Sequence, residues 1–133
     1  MSEHFDRVKE FLFELDVRIV DENADEELVV IEDEESGIKN LIVDCEDPIL
    51  VLEQLILDVP DGSGAFYQRL LQMNRTLVHG AFALDEAGKR LFWRDTLQLA
   101  NLDLNELEGS SSALSLGLAE HANELLDFAK KSA

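Results

Sequence analysis

Apolar residues in the first stretch of the chain return every three or four positions. Phe5, Val8, Leu12 and Leu15 share one side of a helix over residues 3–15, with Ser2 placed to cap its start. Phe11 and Phe13 fall outside that stripe and give the helix a second apolar surface, one for a sheet and one for a partner. The pattern then changes to short runs rich in Val, Ile and Leu, at residues 17–20, 28–31, 38–43 and 49–59, which predict strands. The connector Asp33-Glu34-Glu35-Ser36-Gly37 reads as a turn, with Gly37 free to take positive φ. Pro48 heads the fourth run, where a missing N–H costs least. That run also fits a helix, but Ile56, Leu57 and Val59 carry it on into Pro60, which favours a strand.

Asp61-Gly62-Ser63-Gly64 is the sharpest break, and either Asp61 or Ser63 is placed to cap the helix that follows. In that helix Phe66, Leu70, Met73 and Leu77 recur at helical spacing, with Leu71 beside them. Alternating apolar residues on both sides of Asp85-Glu86-Ala87-Gly88 predict a hairpin of residues 78–84 and 90–97. Asn74 is placed to cap the end of the preceding helix, and Gly80 permits close packing of that helix over a strand. Asp103, followed three residues later by Glu106, opens a long last helix striped by Leu107, Leu114, Leu118, Leu125 and Phe128. Gly109 to Ser112 is a weak spot where this helix is expected to fray or kink. The expected fold is α+β: an N-terminal helix, an antiparallel sheet of five to six strands interrupted by a helix, and a long C-terminal helix. At 133 residues it is read as one domain over 1–133.

Charge narrows the partners. The chain carries 29 acidic against 11 basic residues, a net charge of −18, so phosphate backbones and anionic lipid surfaces are repelled. No nucleic acid and no membrane insertion are expected, and a basic or amphipathic protein segment is the favoured partner. One cysteine excludes an intrachain disulfide framework. The N-terminal residues lack the pattern of a secretory leader and no apolar run approaches the ~20 residues of a membrane span, so a cytoplasmic protein is expected.

Candidate chemistry is sparse. Residues 21–35 hold nine acidic and no basic residues, read as solvated strand connectors; the sharper alternative is a cation or docking site. The glycine and closing glutamate of a calcium loop are missing there. His4, His79 and His121 have no partners at zinc-ligand spacing, with His79 placed in a strand, and no metal site or cofactor is assigned. Cys45 lies between Asp44 and Glu46, whose charge raises a thiol's pKa, so it is read as structural. No triad, phosphate loop or dinucleotide fingerprint appears, and the chain is read as not an enzyme.

The local basic excess lies in Arg69, Arg75, Lys89, Arg90 and Arg94, beside Phe92 and Trp93. Arginine and aromatic residues are those enriched at interface centres. Adjacent strand residues face opposite ways, so one of Phe92 and Trp93 is expected to be exposed or covered by a partner. The alternative places Trp93 under a helix with the charges solvated.

The order of elements, the run Leu70-Leu71-Gln72-Met73-Asn74, the segment Gly80-Ala81-Phe82-Ala83-Leu84-Asp85 with Gly88, and then Leu97, Leu99 and Leu102-Asp103 resemble the type III secretion chaperones of the CesT type and the YbjN-like group. The segment from Asn74 to Phe82 is similar to a YjfI-like bacterial family found beside membrane-stress proteins. The resemblance implies a secretion-chaperone-like fold and a homodimer that holds an unfolded or helical segment of another protein without ATP, in an envelope-stress or secretion context. Phe5, Phe11 and Phe13 of the first helix, with Arg90, Phe92 and Trp93 of the hairpin, are the candidate partner-binding residues. Alternatives are a domain binding a divalent cation or small ligand through its acidic connectors, and a regulatory subunit of a larger complex.

Overall fold

Alternation along the strands sorts the sheet into two faces, and burial follows the alternation. A computed structural model describes residues 3–61 and 64–131. Its elements are α1 (Glu3–Glu14), β1 (Arg18–Asn23), β2 (Leu28–Asp33), a single 3-10 turn (Glu34–Ser36), β3 (Ile38–Glu46), β4 (Ile49–Asp58), α2 (Gly64–Asn74), β5 (Ala81–Leu84), β6 (Arg90–Gln98) and α3 (Leu104–Lys131). Ser2 and Ser63, two of the expected caps, lie outside the described residues. The six strands form one antiparallel sheet in the order β1-β2-β3-β4-β6-β5. The run expected at 49–59 is thus a strand, over Ile49–Asp58, and the fold is the expected α+β.

Val29, Val43 and Leu52 stand opposite one another across β2, β3 and β4, and all three are buried. Ile31, Leu41, Leu50, Leu91 and Trp93 share that inner face. Phe5, Val8 and Leu12 of α1, Phe66, Leu70 and Met73 of α2, and Leu107, Leu114 and Leu125 of α3 close over it as one cluster. All three helices therefore cover the same side, which is how an antiparallel sheet with period-2 patterning buries its apolar rows. On the other side, Leu28, Val30, Ile42, Val51 and Phe92 remain only half buried.

Turn chemistry sets the hairpins. Between β5 and β6, Asp85 Oδ1 accepts from Lys89 N at 2.8 Å and Arg90 N at 3.2 Å, which holds the Asp85 carboxyl below its ordinary pKa. Gly88 sits at φ +69° and Gly37 at φ +76°, the left-handed region. The expected cap of α3 is present, with Asp103 Oδ1 accepting from Glu106 N at 2.8 Å.

Four local expectations fail. The strand at 78–84 starts only at Ala81, so His79 lies in the preceding coil. α2 ends at Asn74, before Leu77. Asn74 does not cap α2; its side chain bridges to β5, accepting from Phe82 N at 2.7 Å and donating to Phe82 O at 3.3 Å. The fourth is the weak spot, because α3 runs unbroken through Gly109–Ser112. Small residues there let the helix settle on the sheet. Ser110 is buried and donates to Asp95 Oδ2 at 2.8 Å, and a Cβ on Gly117 would stand 2.7 Å from Leu77.

Trp93 is the largest fully buried side chain, and Gly80 lies flat on it. A Cβ at Gly80 would sit 2.6 Å from two indole carbons, and its φ is +75°. Gly88 shares the left-handed backbone but has open space where a Cβ would go. Gly88→Ala is expected to cost about 1–2 kcal/mol from backbone strain alone, whereas Gly80→Ala adds an overpacking cost of about 1–3 kcal/mol. Urea unfolding of the two variants checks this, and equal losses would show that the indole contact carries no weight.

Candidate protein-binding surfaces

The candidate residues separate by burial. Phe5 and Trp93 are 0% exposed and belong to the core, so neither can meet a partner on the native surface. Phe5 occupies the inner stripe of α1, and Trp93 takes the inward position of β6, leaving Phe92 on the outward one. Phe11 is half buried against the core with the Arg7 guanidinium 5.5 Å above its ring. Phe13 is 84% exposed and lines a shallow depression with Lys9, Glu10 and Ile19. Arg90 and Phe92 lie on the bare outer face of β6, with three strands between them and β1. The six residues do not form one site.

The acidic run is not all connector. Asp21 and Glu22 lie within β1 and Glu32 and Asp33 end β2; Glu22 pairs with Lys9 and Glu32 with Arg18, each at 3.3 Å. Among the described residues no three His, Cys, Asp or Glu side chains gather as a metal site. Of the basic cluster, Arg69 is engaged in a two-pronged pair with Glu124 of α3, which holds the Glu124 carboxyl below its ordinary pKa. His121, buried, contacts Thr76 Oγ1 at 2.9 Å. That hydroxyl already donates to Met73 O at 2.7 Å, so the imidazole Nε2–H is the donor to it. Cys45 is buried on the inner face, and burial, with Glu27 and Asp44 nearby, pushes its thiol up to about 12.

A feature the sequence reading missed lies between α3 and β4. Pairing of β3 with β4 stops at Ile42 and Glu53, although β4 continues to Asp58. Asn40 at φ +53° turns β3 aside. The buried Gln54 side chain fills the gap, accepting from Lys39 N at 3.0 Å and donating to Gly37 O at 3.3 Å. Beyond it, Leu55 to Asp58 pair with β6 on one side and, among the described residues, have no strand on the other. A groove of about 620 Å³ opens there, walled by Leu55, Ile56 and Leu57 and by Leu118, Leu125 and Leu126 of α3. The hint in the sequence was the break in alternation at Leu55-Ile56-Leu57, which is the β-bulge against β6.

Residues 1–131 match the CesT_Tir_1 family model. The chain belongs to the CesT_Tir_1 family. Among solved structures, this CesT_Tir_1 protein superposes on YbjN from E. coli with a TM-score of 0.69 at 12% identity, over 90% of this chain and 92% of that one. The HopA1-SchA chaperone-effector complex gives 0.61 at 16% identity, over 86% and 91%. The Yersinia pestis type III secretion chaperone SycH, solved with a fragment of YscM2, gives 0.54 at 15% identity, over 94% and 98%. At such identities the likeness is one of fold. No curated protein matches the chain by sequence. The match does not narrow the chain to the YjfI-like group.

The outer face also holds an unusual carboxyl. Asp44, between Leu28 and Val51 in the strand register, keeps Oδ1 out of water with no hydrogen-bond partner. Burial, then the neighbouring Glu46 carboxyl and the charge of Glu26, push its pKa from 3.8 up to about 6. A raised carboxyl pKa means the unfolded chain ionises first, so this group's contribution to stability falls as pH rises from about 4 to 6 and is flat above. Asp44→Asn is expected to melt higher than the wild type at neutral pH, with the difference shrinking as pH is lowered through that window. A pH-independent difference would contradict this account.

Proposed function

We propose that this CesT_Tir_1 protein is a non-catalytic, chaperone-like module, acting as one unit over residues 1–133, that holds an extended or amphipathic segment of another protein. The observation that carries the reading is the groove beside the unpaired β4 edge. An unpaired strand edge offers main-chain donors and acceptors to an extended segment, and the leucines beside it take that segment's apolar side chains. The groove suits binding better than catalysis. Gln54, its buried polar side chain, is committed to Lys39 and Gly37, and Lys39, Asn40 and Asp58 are the other polar residues of a lining that is otherwise largely aliphatic.

The net charge of −18 favours a segment with basic residues between its apolar ones. Phe13, so exposed on α1, supplies a second contact beside Ile19 for a segment long enough to reach it. Arg90 and Phe92 belong to a different surface, the outer face of the sheet. The HopA1-SchA and SycH complexes, in which proteins of this fold hold other proteins, support the reading. The protein works as a homodimer in the cytoplasm, in a secretion or envelope-stress setting, and needs no cofactor.

Capture from the native host with the tagged full chain tests the reading against Leu126→Asp, a change at a half-exposed position of the groove. The wild type is expected to retain one protein in stoichiometric amount, with the variant, equally folded by circular dichroism, retaining about tenfold less. Equal retention by both proteins would remove the groove as the binding site.

A further inference from the structure

The groove between α3 and β4 has two unlike ends and a recess between them. α3 runs beside β4 in the same direction. Leu118 reaches Gly37, to whose carbonyl Gln54 donates, while Phe128 packs edge-on against Phe66 of α2, with ring centroids 5.2 Å apart, past the end of β4. Lys39 and Asn40 therefore stand at the Gln54 end of the groove and Asp58 at the other. Lys39 commits its main-chain N–H to Gln54, and neither its ammonium nor the Asp58 carboxylate has an opposite charge within 4 Å among the described residues. Arg90 stands opposite Asp58 in the strand register without pairing with it. Between the ends, Leu118, Ala122 and Leu126 follow one another at four-residue intervals along the α3 wall. The small, half-buried Ala122 leaves a recess between the two leucines.

The two walls match in length. The free edge from Leu55 to Asp58 spans about 13 Å as extended chain. From Leu118 to Leu126 the helix rises about 12 Å. An occupant of about five extended residues fits such a slot, and its side chains alternate between the α3 wall and the Leu55 side. The middle residue of the inward parity then falls over Ala122, with its second neighbours at the two charged ends. We propose that the groove selects a segment with one bulky apolar residue seated over Ala122, an acidic residue two positions away towards Lys39 and a basic residue two positions away towards Asp58. The proposal rests on the reading of the groove as the binding site and adds the rule by which it chooses.

That rule is separable from the pull of the whole molecule. At a net charge of −18 the chain draws in any basic segment, whatever its order of residues. Lys39 opposes that pull at one end of the groove, because a basic residue beside it meets a like charge and an acidic one meets its complement.

Fluorescence anisotropy with labelled peptides of the form Thr-X-Thr-Leu-Thr-Z-Thr tests it, where X and Z are Glu and Lys, both Lys, or both Glu. Attraction by net charge alone ranks the doubly basic peptide tightest. The wild type is expected instead to bind the mixed peptide tightest, by at least about threefold. Lys39→Glu, at an exposed position, is expected to move the preference to the doubly basic peptide. Ala122→Leu fills the recess and is expected to weaken the mixed peptide about tenfold, as is Ala for the central Leu of the peptide. Thermal melts check that both protein variants fold, and the peptide change tests the recess without touching the protein. With binding still lost in Leu126→Asp, a ranking that follows peptide charge, one that Lys39→Glu leaves unchanged, or indifference to the central Leu overturns the rule and leaves the groove standing. Binding that survives Leu126→Asp, or no binding of any peptide at millimolar chain, removes the groove and the rule together.

Discussion

All three helices lie on one face of the six-stranded sheet, and among the described residues no helix covers the other face. The strands alternate strictly enough that Val29, Val43 and Leu52 line up on one side, and α1, α2 and α3 all close over that side. The rest of the surface chemistry follows from this arrangement. Residues on the second parity of each strand must face water or another chain, and many of them are Val, Ile, Leu or Phe.

How α3 reaches the sheet explains residues that read poorly in one dimension. A glycine and three serines in succession lower helix propensity and suggest a kink. Here Ser110, the buried one of the four, sets its hydroxyl on Asp95, and further along the helix Gly117 leaves room for Leu77. Packing against the sheet offsets the weak propensity, since most helix stability in a folded chain comes from its buried face. Gly80 works in the same way on the other layer, where its missing side chain lets the β5 approach lie against Trp93.

Charge is distributed unevenly enough to carry meaning. Lys9, Arg18 and Arg69 are held by Glu22, Glu32 and Glu124, while Arg90 and Arg94 have no such partner among the described residues. Exposed ion pairs contribute little to stability, so the pairing itself holds nothing together.

The sequence alone determined the element types, because helical and strand periodicities leave different spacings of apolar residues. It also determined the turn at Asp85–Gly88 and the cap at Asp103, where short-range hydrogen bonds depend on residues a few positions apart. Local spacing does not encode which parity of a strand meets the helices. Phe5 and Trp93, read as candidates for a partner, were therefore resolved as core only by the packing of α1 and β6. The groove was beyond reach for the same reason. It exists because Asn40 turns β3 away, Gln54 bridges the gap, and leucines some sixty to seventy residues further on close the far wall. Periodicity is a property of neighbours along the chain, whereas a binding surface is built from neighbours across it, and those are chosen only when the whole sheet folds.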